Sequence, residues 1–264
     1  MLFIIFLEVG MCRLKVKNMV IPKIIHQIWS GIDGPLPDFL KDLGDTWKDH
    51  HREWKYELWD HKRMNDFVLT YYPQYFSIYE KFPFNIQRWD VIRYLILSKM
   101  GGLYVDFDTE CLATIDELLD NHTCCFSMED PSNYNMDFYF NNALMASVPN
   151  HPFMNYIIDN VFSFNEADYE GKSKGDIVMN STGPLMLIKL YNQYPNKELI
   201  HLIHFEYVSP VLKEELIIYY EGKATNILKK KLQAKLENAY SVHYFFNTWL
   251  HGVDVESLSR SYKG

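Results

Sequence analysis

The most constraining feature of this 264-residue chain is the stretch from Gly101 to Asp108, where two glycines and a short apolar run precede two aspartates. The glycines end a predicted helix, and residues 103–107 are predicted as a buried strand that carries Asp106 and is followed directly by Asp108. Two carboxylates one residue apart repel each other unless a cation lies with them, and oxygen-rich sites suit Mg²⁺ and Mn²⁺. The stretch is therefore a candidate site for a divalent cation and a diphosphate; the alternative is a turn with two solvated acids.

The composition of the chain excludes several classes of protein. A hydrophobic content of 48% supports a large core, and a charged content of 23% argues against disorder. The formal net charge of -8 argues against a dedicated nucleic-acid binder, which is usually basic. An anionic ligand would therefore need local help from a metal, an arginine or a helix N-terminus.

Cysteine usage bears on the compartment. The chain has four cysteines, Cys12, Cys111, Cys124 and Cys125, and no pair shows C-x-x-C spacing. This argues against a zinc site or a disulfide framework and predicts buried free thiols in a reducing compartment. The expected location is therefore the cytoplasm.

The N-terminal residues stand apart from the rest of the chain. Their apolar run is too short for a transmembrane helix, and it lacks the basic region and cleavage site of a signal peptide. Residues 1–19 are expected to be a loose appendage or a stretch upstream of the true start, with one domain over residues 20–264. A weak membrane-surface anchor is the alternative.

Strand and helix patterns alternate along the chain, which predicts a single α/β domain. The predicted strands cover residues 21–29, 54–59, 103–107, 123–128, 138–147 and 199–208. The predicted helices cover residues 36–49, 64–72, 74–81, 86–100, 151–164 and 182–194. The polar residues 166–176 are predicted as a mobile loop.

The helix before the acidic stretch carries Arg88, Asp90 and Arg93. Asp90 and Arg93 are three residues apart and share a helix face. Because the helix leads directly through the glycines into the acidic strand, all three side chains are expected close to Asp106 and Asp108. An arginine suits a sugar hydroxyl or a phosphate through its planar fork of donors. An ordinary intrahelical ion pair is the alternative.

Trp29 and His243 are two further candidate site residues. Trp29 follows the first predicted strand, at the strand end where open α/β sheets bind ligands, and an indole there can stack on a planar ring. A core tryptophan is the alternative. His243 lies in an aromatic tail, where it is either structural or completes a metal shell that two carboxylates begin.

Two blocks of the sequence together resemble a known family. The runs from Ile21 to Trp29 and from Asp90 to Asp108 resemble, in order and spacing, the glycosyltransferases that carry a sugar-binding region with a DXD motif (family 32 type). Members include yeast mannosyltransferases that initiate outer-chain N-glycans, bacterial capsular polysaccharide transferases and, more distantly, clostridial glucosylating toxins. The resemblance covers about residues 20–150 and implies a GT-A type fold, a single Rossmann-like domain with a mixed central sheet flanked by helices.

The resemblance implies roles for residues in these two blocks. Trp29 would stack on the nucleobase of the donor. Asp90 and Arg93 would hold the hydroxyls of the donor sugar, and Tyr104 would line the same pocket. The two acids of the motif would have different roles. Asp106 would touch the ribose or sugar and the metal region, and Asp108 would ligate the metal more directly.

The resemblance extends more thinly to later residues. Asn141 or Asn142 matches an asparagine near the donor sugar, and Gly183 lies in a small-residue turn, Thr182–Pro184, before a late helix. His243 and Trp249 occupy a late segment in which the family has a further metal ligand. The chain also departs from the family pattern at two places. Trp89 replaces a small residue, which would reshape the donor pocket, and His51-Arg52 replaces a proline.

The function implied by this resemblance is a metal-dependent, retaining transfer of a sugar from a UDP- or GDP-sugar. The cofactor would be Mn²⁺ or Mg²⁺, and the acceptor a polysaccharide, such as a capsule, or a glycolipid. Peripheral association with the inner membrane face is expected, with Lys229 to Lys231 on the acceptor-facing side. The alternative is a metal-dependent carbohydrate-binding module without transferase activity. An aspartate-dependent phosphatase is disfavoured because Thr109 directly follows Asp108, one residue out of register for that motif.

Overall fold

The computed structural model describes residues 19–134, 136–163 and 170–246. The expectations for the N-terminal 18 residues, for Trp249 and for residues 166–169 of the predicted loop lie outside the described residues. None of the helices in the described part of the chain is long and apolar enough to cross a membrane. The three cysteines in that part are buried and free, as predicted.

The strands form one mixed sheet and one small sheet. In chain order, β1 to β8 are Ile24–Ile28, Lys55–Trp59, Gly102–Val105, Thr109–Cys111, Cys124–Glu129, Tyr139–Ser147, His201–Ile203 and Ser241–His243. The large sheet has the order β2-β1-β3-β6-β5-β7, in which β1 runs parallel to both β2 and β3, and β6 runs antiparallel to its two neighbours. The small sheet is the antiparallel pair β4-β8. The expected mixed sheet is therefore confirmed.

The helices lie between these strands in sequence and flank the large sheet. In chain order, α1 to α11 are Asp38–His50, His61–Tyr71, Pro73–Lys81, Asn85–Met100, Asp116–Leu119, Pro152–Val161, Lys174–Ser181, Pro184–Gln193, Phe205–Val208, Lys213–Tyr220 and Asn226–Leu236. Two short 3₁₀ helices are Pro131–Asn133 and Lys197–Leu199. Strands and helices follow each other along the described part of the chain in runs of one to three elements of the same kind, so the predicted alternation is present only approximately.

Three predicted elements differ from the structure. The strand predicted over residues 103–107 ends at Val105, because the N–H of Thr109 bonds the carbonyl of Asp106 at 3.2 Å and closes a turn that carries both acids. The strand predicted over residues 199–208 pairs with β5 only at β7 and then turns into α9. The helix α7 was not predicted; it begins inside the predicted loop, where the Ser173 hydroxyl accepts the N–H of Asp176.

The junction between α4 and β3 sets the geometry of the fold near its centre. Helix α4 is buried on nearly all sides, because it contacts α6 and other helices as well as strands β3 and β6. Gly101 ends it at φ 67°, and Gly102 begins the strand at φ 102°. A Cβ on Gly101 would lie 2.7 Å from the ring of Pro149 and 2.9 Å from that of Pro22. Only glycine therefore fits this turn, which sends the chain from the helix directly into the strand.

Candidate functional site

A cavity of about 910 Å³ lies beyond the carboxyl ends of β1 and β3. It contains nearly all the site residues predicted from the sequence. Those lining it are Trp29, Asp90, Arg93, Tyr104, Asp106, Asp108, Asn141, Asn142 and His243. Ligand sites in open α/β sheets lie at this edge of the sheet, so the position agrees with the sequence-based expectation.

Arg93 is the centre of the buried charge network in this cavity. Its two terminal nitrogens lie 3.2 and 3.3 Å from the Asp106 carboxylate and one lies 3.6 Å from Asp90. The guanidinium also donates to the backbone carbonyl of Asn142 at 3.1 Å and lies 4.8 Å from the ring centre of Tyr104. Burial opposes the charge, but the carboxylates hold the pKa of Arg93 above its usual range. The predicted pairing of Asp90 with Arg93 is present and is part of this larger network.

Asp90 has both carboxylate oxygens occupied. One accepts a hydrogen bond from the Asn142 amide at 2.8 Å, and the other accepts from the Thr182 hydroxyl at 2.9 Å. Burial raises the pKa of Asp90 to about 6, although Arg93 and these two donors favour the charged form. This residue therefore holds its neighbours in position, and those neighbours come from β6 and from the end of α7.

Asp106 lies just past β3 and faces Arg93. The Tyr104 hydroxyl donates to its carboxylate, which is 25% exposed. Burial raises its pKa against the effect of Arg93, and the neighbouring charge of Asp108 acts in the same direction as burial. The two acids of the motif thus share one turn but face different partners.

Asp108 faces His243, which the small sheet brings to it. The pairing of β4 with β8 sets Thr109 opposite His243, and the imidazole Nε2 lies 3.4 Å from an Asp108 carboxylate oxygen. The N–H of Phe246 donates to the other oxygen at 3.1 Å. Burial alone would raise the pKa of Asp108, but His243 and this N–H hold it below its usual range. The predicted proximity of His243 to the acids is present in the structure.

Glu129 is a site residue that the sequence analysis missed. It ends β5, is buried, and lies with an oxygen 3.5 Å from Nδ1 of His243. It also accepts hydrogen bonds from the Tyr134 hydroxyl and the Asn141 amide. Burial would lower the pKa of His243, but its two carboxylate neighbours raise it to about 10. The available signal was an acidic residue at the carboxyl end of a predicted strand.

Two predicted residues have different surroundings from those expected. Arg88 is partly buried and donates to the backbone carbonyl of Glu80 and to the side chain of Asn85 instead of facing the acids, so that expectation was wrong. Gly183 bonds Val178 through its N–H, whereas the preceding Thr182 is the residue that contacts Asp90. The sequence analysis quoted Thr182 but placed the role on the glycine.

Trp29 lies at the end of β1, on the same side of the molecule as the two acids. Its indole N–H donates to the carbonyl of Gly34 at 3.0 Å, and its ring meets Phe107 edge-on with 6.2 Å between the centroids. It is partly exposed in the cavity, so it is not an ordinary core tryptophan. Trp89 also lines this cavity; its reshaping of the donor pocket stays a prediction.

The donor atoms near the motif suit a divalent cation in type. Two carboxylates and an imidazole, from Asp106, Asp108 and His243, line one region of the cavity and are ligands that Mn²⁺ and Mg²⁺ accept. Within residues 19–134, 136–163 and 170–246, however, no three such side chains already form a cation site. The reason is visible in the network, because Asp106 is turned towards Arg93 and Tyr104.

Comparison with known proteins adds three findings. Residues 37–125 match the family described as "Glycosyltransferase sugar-binding region containing DXD motif". The chain is 33% identical over 217 residues to inositol phosphoceramide mannosyltransferase 3 of Schizosaccharomyces pombe, covering 79% of this chain and 56% of that protein. It is 33% identical over 178 residues to mannosyl phosphorylinositol ceramide synthase SUR1 of Saccharomyces cerevisiae, covering 67% of this chain and 44% of that protein.

A relative of another kind and two solved structures are also similar. The initiation-specific alpha-1,6-mannosyltransferase of Candida albicans is 24% identical over 251 residues, covering 84% of this chain and 62% of that protein. The PaToxG glycosyltransferase superposes with a TM-score of 0.53 at 17% identity, covering 88% and 96% of the two chains. The ligand-free glycosyltransferase domain of the YGT toxin superposes with a TM-score of 0.52 at 10% identity, covering 83% of this chain and 90% of that chain.

These comparisons bear on the fold and on the extent of the match. The solved structures show the fold alone, which is of the GT-A type, as expected from the sequence resemblance. The chain spans about half the length of the first mannosyltransferases it matches.

Proposed function

Because this chain belongs to the glycosyltransferases whose sugar-binding region contains a DXD motif, we propose that it transfers mannose from a nucleotide sugar to the headgroup of a glycolipid. The choice of mannose and of a phosphoinositol ceramide acceptor follows the names of its relatives in two yeasts. The observation that carries the proposal is one cavity lined by both the Arg93 network and the acids of the motif, with Trp29 on the same side.

The donor sugar is proposed to bind against Asp90, Arg93 and Asn142. The three side chains are held by mutual hydrogen bonds and ion pairs, so their polar groups are fixed before a ligand arrives. Fixed donors and acceptors suit sugar hydroxyls, since a rigid site has less ordering cost on binding. Trp29, at the end of β1, is proposed to stack on the base of the nucleotide.

The diphosphate is proposed to lie beside the acids of the motif. Asp106, Asp108 and His243 would together hold Mn²⁺ or Mg²⁺, and such a cation, when bound, offsets the developing charge of the departing diphosphate as a Lewis acid. Glu129 is proposed to orient His243, because its carboxylate lies 3.5 Å from Nδ1 and leaves Nε2 directed at Asp108.

The transfer itself is proposed to proceed with retention of configuration. The bond from the anomeric carbon to the diphosphate oxygen breaks, the bond to the acceptor oxygen forms on the same face, and the acceptor proton passes to the departing phosphate. No general base is assigned. Four buried or partly buried carboxylates of the cavity support this, because each already accepts a hydrogen bond from, or forms an ion pair with, a neighbouring donor; they are Asp90, Asp106, Asp108 and Glu129.

The donor is tested by comparing GDP-mannose, UDP-glucose, UDP-galactose and UDP-N-acetylglucosamine with Mn²⁺ present. We expect the fastest nucleotide release from GDP-mannose and, with a phosphoinositol ceramide acceptor, a mannosylated lipid detected by mass spectrometry. Faster release from a UDP-sugar would contradict the choice of mannose. Binding of free mannose with Ca²⁺, and no response to any nucleotide sugar, would favour the carbohydrate-binding module.

The metal assignment is tested by Asp108→Asn. The substitution removes a charged ligand, so the rate should fall by about three orders of magnitude, or ~4 kcal/mol in barrier, and the residual rate should not depend on Mn²⁺. The control is Asp137→Asn at an exposed acid, which should leave the rate and its dependence on Mn²⁺ unchanged. A near-normal, Mn²⁺-dependent rate in the Asp108 variant would refute the assignment.

A further inference from the structure

Helices α10 and α11 form an antiparallel hairpin. Glu215, in the first turn of α10, pairs with Lys231 in the middle of α11 at 2.8 Å and with Lys235 in its last turn at 2.6 Å. A loop over residues 221–225 joins the two helices. The end of α10 therefore lies beside the start of α11.

The free end of this hairpin exposes apolar side chains. Ile217, Ile218 and Tyr219 at the end of α10 are 46%, 39% and 48% exposed, and Ile227 in the first turn of α11 is 82% exposed. We call these four residues the hairpin tip. Single exposed apolar residues are ordinary on a protein surface, but here four lie on two adjoining helix ends.

The hairpin is also locally basic in an acidic protein. Residues 213–237 contain six lysines and four glutamates, whereas the whole chain has a net charge of -8. Lys229 and Lys230 follow the hairpin tip on α11 and are exposed, and no carboxylate in the described part of the chain lies within ion-pairing distance of either. Positive charge beside exposed apolar groups complements an anionic lipid surface.

The hairpin lies at the rim of the cavity. Lys213 and Glu214, at the start of α10, line the cavity. At the other end of this helix, Tyr220 packs against Phe246, which also lines the cavity, with 6.4 Å between ring centroids. A surface in contact with the hairpin tip would therefore lie next to the mouth of the cavity.

We propose that the hairpin tip, with Lys229 and Lys230, docks the protein on an anionic lipid bilayer and holds the cavity mouth near the lipid headgroups. The proposal rests on the proposed function in one respect, that the acceptor is a lipid and is met at a membrane. A second copy of this chain is a less favourable occupant, because a two-fold contact through the hairpin tip would bring the lysines of both copies together.

The contribution of the hairpin tip to membrane binding is tested by vesicle sedimentation with the full chain. Vesicles of phosphatidylcholine and phosphatidylserine are compared with vesicles of phosphatidylcholine alone. Ile217→Ser/Ile218→Ser should lower the partition constant about tenfold, because two side chains lose apolar burial. The matched control is Leu69→Ser/Ile78→Ser, whose parent side chains are 48% and 38% exposed on other helices, and it should bind like the unsubstituted chain.

The contribution of Lys229 and Lys230 to membrane binding is tested in the same assay. Lys229→Glu/Lys230→Glu should lose at least tenfold in binding to the anionic vesicles, since each lysine near such a surface contributes about a fivefold factor. Lys81→Glu/Lys189→Glu changes the net charge equally at exposed positions elsewhere and should lose far less. Equal binding by the hairpin variants and the unsubstituted chain would overturn the proposal, as would vesicle binding that does not require phosphatidylserine.

Activity separates this proposal from the proposed function. The hairpin variants should transfer mannose normally to a water-soluble phosphoinositol acceptor but poorly to a vesicle-embedded one. If no variant and no donor gives transfer while the vesicle results hold, the proposed function fails and the docking surface stands. If the apolar variant converts a dimer to a monomer in sedimentation velocity and binds vesicles normally, the surface is a contact between copies and the docking proposal is wrong.

Discussion

Arg93 is the residue on which the geometry of the cavity most depends. It is 8% exposed, and its charge is stabilised by Asp90, Asp106 and a backbone carbonyl. Removing one partner of a buried ion pair leaves an uncompensated charge and is strongly destabilising. The polar groups of this site are therefore coupled, and isosteric substitutions at its edge give clearer information than loss of the arginine.

Thr182→Val is such a substitution. It keeps the shape of the side chain but removes the hydrogen bond to Asp90, an interaction with a charged group that contributes about 1.5–3 kcal/mol. We expect kcat/KM for the nucleotide sugar to fall by about tenfold to a hundredfold, mostly through KM. Steady-state kinetics with Thr182→Ser as the control checks this, because serine keeps the hydroxyl. If valine and serine give the same kcat/KM as threonine, the Thr182 hydroxyl does not position the site.

At the scale of elements, the turn between α4 and β3 links the two halves of the site. Asp90 and Arg93 lie on the helix, and Asp106 follows the strand, so the angle between the two elements sets their separation. The carbonyl of Gly101 is also bonded by the His26 ring at 2.9 Å, which ties the turn to β1. A change of this turn should therefore affect both stability and the site.

Gly101→Ala tests the steric requirement of the turn. The new Cβ meets two proline rings at under 3 Å and forces alanine to a φ of 67°, so we expect a loss of about 3 kcal/mol in unfolding free energy. Gly222→Ala is the control, since its φ is 68° but nothing lies within 4 Å. Chemical denaturation measures both variants. Equal losses would mean that backbone strain, not contact with the prolines, decides the residue at the turn.

His151, at the start of helix α6, should make the unfolding free energy depend on pH. It caps α6, accepting the N–H of Phe153, and burial lowers its pKa to about 4. In the unfolded chain this pKa is about 6.5, so between these values the unfolded state binds more protons and acid favours unfolding. From pH 7 to pH 4 the unfolding free energy of the unsubstituted chain should fall by about 3 kcal/mol relative to His151→Asn, which keeps a cap. Parallel denaturation curves at all pH values would contradict this.

At the scale of the whole molecule, both sheets contribute residues to the cavity. The large sheet supplies Arg93's partners through β3 and β6, and the small sheet β4-β8 supplies His243. Beside β8, the α10–α11 hairpin packs on the same segment through Leu216, Leu232 and Val242. A ligand in the cavity would therefore contact both sheets and stabilise the molecule as a unit.

Ligand binding should accordingly raise global stability. A nucleotide diphosphate at a hundred times its Kd adds about 2.7 kcal/mol, measured as an increase in Tm. We expect GDP with Mn²⁺ to give a larger increase than the sum of either alone, and Asp108→Asn to abolish the excess. Simple additivity in the unsubstituted chain would indicate that metal and diphosphate do not share this site.

The sequence by itself determined the features that depend on near neighbours. The helix, the double glycine, the short strand and the two acids follow from local spacing, and so does the pairing of Asp90 with Arg93 three residues along one helix face. The alternation of strands and helices predicted the α/β class for the same reason. These features were predictable because backbone sterics and the helical and strand periods act over a few residues.

Only the tertiary structure decided which distant residues meet. Glu129 reaches His243, and Thr182 reaches Asp90, across long stretches of sequence. The strand β8, which brings His243 to Asp108, exists because it pairs with β4. Such contacts depend on how every intervening element packs, and no local pattern records them. The same holds for the hairpin tip, whose side chains are apolar in the sequence but exposed only because of where the hairpin lies.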